Sequence, residues 1–151
     1  MGRHYEEFEA GQRYETPRRT VIEADISVFA GLTADFNPLH MDDVFAAQSD
    51  FGGRITHGPM IVGMAFGLVS RIDLIDGTVL GLLDIGWSFK APVRPGDTIG
   101  VVVRVTGKRM TRKPDRGVVE LELDVINQRG DLVQVGKAKV MIRRRNAQET
   151  V

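Results

Sequence analysis

From Met60 to Val69 the chain reads Met-Ile-Val-Gly-Met-Ala-Phe-Gly-Leu-Val, without one charged residue. Gly58-Pro59 precedes this run, and proline suits the first position of a helix because its missing N–H would be unpaired there anyway. A helix that is apolar on every side must be buried all round. Something has to wrap it, and the rest of the chain supplies a candidate. Gly63 and Gly67 lie four apart, hence on one face, and each costs about 1 kcal/mol of helix propensity against alanine. Their expected return is close approach of the helix backbone to an element packed across it.

From Thr78 onward the period changes to two. Val101, Val103 and Val105 alternate with Val102 and Arg104, and Val119, Leu121, Leu123 and Val125 alternate with Glu120, Glu122 and Asp124. That is a sheet with one dry and one wet face. Arg94-Pro95-Gly96-Asp97 and Asn127-Gln128-Arg129-Gly130-Asp131 read as turns. Four long strands follow, roughly 78–92, 98–111, 117–127 and 131–143. An antiparallel sheet wrapped around one buried helix satisfies both patterns: an α+β hotdog arrangement. Periodicity alone also allows another α+β sandwich.

The front half is helical. Gln12 to Val21 reads as a first strand, interrupted at Pro17, which cannot donate to a ladder. Ile22, Ile26, Phe29, Ala30 and Thr33 recur at helical spacing. That helix has to stop before Pro38, because a residue preceding proline is pushed out of the helical region. Asp42 is placed as an N-cap for a short helix through Val44, Phe45 and Ala46. Phe51 to Arg54 reads as a loop. No repeat or linker appears, so 1–151 is expected to be a single domain.

Bulk properties exclude several functions. Lys plus Arg and Asp plus Glu both number 20, giving a formal net charge of zero. No global field attracts nucleic acid or an anionic membrane. The absence of cysteine excludes disulfides, thiolate metal sites and a cysteine nucleophile. The run from Ile55 to Ser70 is too short for a membrane span, which needs about 20 apolar residues. A cytoplasmic protein is expected. No metal site is expected either, because no His, Asp and Glu cluster has ligand spacing along the chain.

The chemistry-bearing segment is Asp35-Phe36-Asn37-Pro38-Leu39-His40. The chain leaves a helix, is forced extended by Pro38, and carries an acid and an imidazole across the bend. One water between Asp35 and His40 would meet a general acid–base pair. A second segment, His57-Gly58-Pro59, opens the apolar helix, whose first amides carry partial positive charge. Gly58 has no side chain to block a carbonyl, so its N–H is the natural oxyanion donor. Each signal alone is weak. A lone aspartate at a helix end more often bonds its own backbone, and a lone histidine more often packs. A base, an acid and an oxyanion donor beside one helix are stronger together.

These segments carry a resemblance. FAGLTADFNPLHMD, FGGRITHGPM and FKAPVRPGDTI resemble the corresponding stretches of MaoC-like dehydratases and R-specific enoyl-CoA hydratases, across roughly residues 8 to 142. The resemblance implies a single hotdog domain that reversibly adds water to a trans-2-enoyl-CoA or a related enoyl thioester. It implies Asp35 and His40 as the catalytic pair and the Gly58 amide as receiver of the thioester oxygen. Asn37 and Pro38 would shape the turn, with His57 beside them. It implies no cofactor other than the coenzyme A that carries the substrate, and a homodimer with sheets joined edge to edge. Some members carry a serine on the central helix that bonds the aspartate; the position matched to it here is Phe66, with Ser70 one turn on. Two other functions stay open. A hotdog thioesterase would need a carboxylate on the central helix, and none lies between Gly58 and Val69. A non-catalytic acyl-thioester-binding subunit would fit the Phe66 departure. Trp87 is expected to pack in a strand. Arg54, Lys90 and Arg94 are candidates for coenzyme A phosphates, with solvation as the simpler alternative, and Arg143-Arg144-Arg145 reads as a solvated end.

Overall fold

The computed structural model describes residues 1–145. After a single 3-10 turn at Tyr5–Glu7 come two short strands, β1 (Arg13–Glu15) and β2 (Arg19–Thr20). Pro17 lies between them, which splits the expected first strand in two. Four helices follow: α1 (Glu23–Thr33), α2 (Pro38–Met41), α3 (Asp43–Ala47) and α4 (Gly58–Ser70). Then come β3 (Val79–Phe89), β4 (Thr98–Met110), β5 (Arg116–Ile126) and β6 (Leu132–Arg143). The four long strands match the four expected from periodicity.

The sheet is antiparallel, in the order β1-β4-β5-β6-β3, with β2 also paired to β4. Alternation decides its faces. Val101, Val103 and Val105 point inward with Val119, Leu121, Leu123 and Val125, and all are essentially buried. On the other face Arg104 pairs with Glu122 at 2.5 Å and Asp124 at 2.7 Å. Met60, Ile61, Ala65, Leu68 and Val69 of α4 join the inward valines in one core. Burying one such side chain contributes roughly 1.5–3 kcal/mol, so this helix and sheet contact organises the fold.

The helix is nevertheless not enclosed on all sides. Pro59, Gly63, Gly67 and Ser70 are exposed, and a Cβ at either glycine would meet nothing within 4 Å. The expected close packing across Gly63 and Gly67 is therefore not made within one chain. Gly63 instead borders an open groove toward α1, and both glycines border a second one beside Arg19 and Arg71. A second apolar surface also lies open. Edge strand β3 exposes Leu82, Leu83, Ile85 and Phe89 at 46–57%.

The basic end departs from expectation as well. Arg144 Nε lies 2.7 Å from Glu6 Oε1, and its Nη1 donates to the Pro114 carbonyl at 2.9 Å. Arg145 pairs with Glu7 at 3.1 Å. Arg144 and Arg145 are clasped to the N-terminal turn because acidic Glu6 and Glu7 stand beside them in space, far from them in sequence, while Arg143 stays exposed as expected.

Candidate active site

The loop after α1 builds the site. Ala34 ends that helix in the left-handed region at φ 62°, an uncommon conformation for a residue with a Cβ. The turn swings Asp35 out of line with the helix. Asn37 is extended at ψ 131°, as a residue before proline must be. Pro38 does not extend the chain further. It occupies the first turn of α2, and the Asn37 side chain caps that turn by accepting from the Leu39 N–H at 3.0 Å. The expected extended passage from Asp35 to His40 is thus a capped helical turn, which brings the imidazole back toward the aspartate. Asp42 then caps α3, accepting from the N–H groups of Val44 and Phe45 at 2.9 and 3.0 Å.

Asp35 and His40 come together, and His57 joins them. Each offers one donor atom, and these atoms all lie within 4.8 Å of one another. A water can hydrogen-bond to two groups at that separation. Three such groups also meet the minimum for a cation site, a grouping that spacing along the chain conceals. Hydrogen bonds already orient both imidazoles. His40 Nδ1 lies 2.8 Å from the Ile55 carbonyl. A carbonyl only accepts, so Nδ1 carries the hydrogen and Nε2 keeps its lone pair for a proton. His57 Nε2 lies 2.9 Å from the Asp35 carbonyl, so there the hydrogen is on Nε2. His57 is fully buried, and its Nδ1 has no partner among the described residues. The two rings stack at 4.0 Å between centroids, and Phe29 closes the far side of His57 at 4.9 Å.

Gly58 is the first residue of α4, so its N–H has no partner inside the helix. It lines a cavity of about 320 Å³ together with His40, Phe51, Ile55, Phe89 and Val93. A Cβ at position 58 would sit 2.8 Å from the Phe89 ring, so only glycine fits unless Phe89 moves. Lys90 also lines this cavity.

Phe66 does not line the cavity. Its ring packs toward Trp87 on β3, with centroids 6.0 Å apart, and Ser70 bonds Asp76 at 3.0 Å instead of Asp35. Neither offers the aspartate a hydroxyl. Arg54 is not free for a phosphate. Its guanidinium meets Glu23 and Asp43 at 2.5 Å each and donates to the His40 carbonyl at 3.2 Å. The bonds to these two carboxylates raise its pKa above the ordinary guanidinium value. Arg94 donates to the Phe51 carbonyl. Sequence reasoning gave neither arginine these partners, and it passed over Gln134, a buried amide on the cavity wall. The only local hint of Gln134 is a polar residue between Val133 and Val135, in a strand whose inward side is apolar.

Comparison with known proteins fits this geometry. Residues 7–127 match the MaoC like domain. Protein MaoC of Klebsiella aerogenes is 41% identical over 122 residues, 78% of this chain and 34% of that protein. The chain thus spans about a third of that relative. The (R)-specific enoyl-CoA hydratase of Aeromonas caviae is 34% identical over 134 residues, 89% of this chain and 95% of that one. A solved structure described as a monoamine oxidase regulatory protein from Archaeoglobus fulgius superposes with a TM-score of 0.90 at 36% identity, covering 96% of this chain and 97% of that one. By its sheet wrapped on a helix, by its Asp35 to His40 turn and by this match over most of its length, the chain belongs to the MaoC-like domain family.

Proposed function

We propose that the chain hydrates the double bond of a trans-2-enoyl thioester carried on coenzyme A, giving the 3-hydroxyacyl thioester, and runs the reverse dehydration. One observation carries the reading: Asp35 and His40 lie within reach of a single water, and His40 lines the cavity that Gly58 also lines. The pair removes a proton from that water, and the oxygen bonds to the β-carbon. The π electrons move toward the thioester, whose oxygen takes up charge opposite the Gly58 N–H. The same pair returns a proton to the α-carbon, and the enolate collapses. Buried His57 and partly buried Phe29 stand behind the pair and shield it from bulk water on one side. Proton transfer and one oxyanion donor are enough for this step, so the reading calls for no metal and no cofactor beyond coenzyme A. By likeness to the Aeromonas caviae hydratase, the product is the (R)-hydroxy isomer.

The working unit in this reading is a homodimer. The apolar edge of β3 and the open stripe along α4 support it, because an unpaired apolar edge is a liability in a monomer. Light scattering at micromolar concentration tests this directly; a monomer is the contrary result. A cytoplasmic setting goes with a cysteine-free chain and with the coenzyme A pool. No helix among the described residues is long and apolar enough to cross a membrane.

The deciding assay follows the absorbance of crotonyl-CoA and of longer enoyl-CoAs. Asp35→Asn and His40→Ala are expected to abolish the change, and an undiminished rate in both variants defeats the assignment. Release of free coenzyme A from saturated acyl-CoA would instead indicate a thioesterase. Tight binding without turnover would indicate an acyl-binding subunit.

A further inference from the structure

One buried polar side chain on the candidate cavity has no role in the hydration step. Gln134 of β6 is 3% exposed and lines the same cavity as His40, Gly58 and Phe89. The orientation of its amide follows from its partner. Trp87 Nε1 lies 2.8 Å from Gln134 Oε1, and an indole N–H can only donate. The oxygen therefore faces Trp87. The indole is itself held in place: Trp87 is the register partner of Gly136, and any Cβ at 136 would collide with its ring.

Nε2, with two hydrogens, is left for the other side. Its one partner among the described residues is the Gly58 carbonyl, at 3.4 Å. That is longer than an ordinary N–H···O bond of about 2.7–3.2 Å, and the helix's own i to i−4 pattern already engages the carbonyl. At least one hydrogen of a buried amide has no acceptor, whereas buried donors are normally satisfied. The direction matters too. The N–H and C=O of one helical residue point opposite ways along the axis. An amide against the Gly58 carbonyl therefore stands further along α4 than the Gly58 N–H, beyond the place of the thioester oxygen.

We propose that Gln134 is a specificity-determining residue. Its Nε2 donates to an oxygen on the acyl chain, past the reacting carbons. The site then favours enoyl thioesters whose acyl chain carries a hydrogen-bond acceptor over plain hydrocarbon chains. Lys90 on the same cavity adds a cation, which favours a carboxylate among the possible acceptors. This inference rests on the hydratase reading of the site and narrows its substrate class.

The test compares kcat/KM for trans-2-hexenoyl-CoA with that for the six-carbon enoyl-CoA whose chain ends in a carboxylate. The proteins are the unaltered chain, Gln134→Met and Gln134→Glu. Methionine keeps the shape without a donor. Glutamate keeps an acceptor for Trp87 and loses the donor, which covers the case where the methionine variant does not fold. The unaltered chain is expected to favour the carboxylate substrate at least tenfold, and each folded variant to lose that preference. A ratio equal to that of the unaltered chain in a folded variant, or an initial preference for the hydrocarbon, overturns the proposal. If the unaltered chain hydrates neither substrate, the hydratase reading fails, and binding still decides the role of Gln134. Hexanoyl-CoA and its terminal-carboxylate analogue are titrated against the fluorescence of Trp87, the chain's one tryptophan. Tenfold tighter binding of the carboxylate analogue, lost in the folded variants, supports the proposal. Equal binding of the two analogues, or a preference that survives the substitutions, overturns it.

Discussion

His57 donates its Nε2 hydrogen to the main-chain carbonyl of Asp35 at 2.9 Å, across 22 residues of sequence. The buried imidazole therefore holds the backbone of the aspartate, while the Asp35 carboxylate stays exposed, with one oxygen accepting from the Asn37 N–H at 3.3 Å. His57→Phe keeps a ring between Phe29 and His40 but removes the donor. It is expected to lower kcat about 10- to 100-fold with little change in KM, and to cost roughly 1 kcal/mol of stability. Steady-state kinetics on crotonyl-CoA and urea unfolding measure the two effects, and an unchanged kcat would show that the bond does not position Asp35.

Gly58 and Phe89 make a second coupled pair. Gly58→Ala places a methyl against the Phe89 ring, closer than van der Waals contact allows. The helix start shifts, and with it the N–H proposed to face the thioester oxygen. Loss of one oxyanion donor costs around 2.7–4 kcal/mol of barrier, so kcat is expected to fall up to several hundredfold. Adding Phe89→Ala should recover part of that loss. Additive losses in the double variant would mean that crowding is not the cause.

Arg54 ties α1, α2 and α3 together through Glu23, the His40 carbonyl and Asp43. Both carboxylates are mostly exposed, so the ion pairs themselves are screened and contribute little. The bond to His40 matters more. Arg54→Met is expected to cost about 1 kcal/mol in urea unfolding and to lower kcat several-fold by loosening α2. Arg54→Lys, which keeps the charge without the planar fork, should restore stability better than rate. Identical behaviour of the two variants in both assays would contradict this division.

The terminal clasp gives a pH dependence. The His4 backbone N–H, followed by Arg145, holds the Glu7 carboxyl below its ordinary value of 4.5. Burial opposes ionisation of Glu6, but backbone N–H groups and Arg144 outweigh it and lower its pKa as well. A carboxyl depressed on folding stabilises the folded state above its unfolded value. That contribution is lost as pH falls through the folded value. Glu7→Gln should therefore be less stable than the unaltered chain at pH 7, and the gap should close below pH 4.5. Urea midpoints at several pH values check this; a constant gap would rule the clasp out as the cause.

Much of the fold was legible because its signals are local. The apolar run of α4, the alternation of β4 and β5 and the Asp42 cap all depend on neighbours a few residues away. The closeness of Asp35 and His40 was legible because both sit on one short turn. The α2 turn was not, since Pro38 reads equally as a break and as a first helical residue, and only the Asn37 cap decides between them. Arg54 and Glu23 lie 31 residues apart, and Arg144 and Glu6 lie 138 apart. No local pattern records such partners. Gly63 and Gly67 meet no element of the same chain, and the sequence could not show this. A buried contact and an open groove can carry the same small apolar residues.

The bond from Arg144 to Glu6 brings the stretch that follows β6 beside the turn that opens the described residues. A unit whose ends emerge side by side hangs from a host chain like a bead on a loop. Close ends of this kind are what makes insertion into a surface turn tolerable in general.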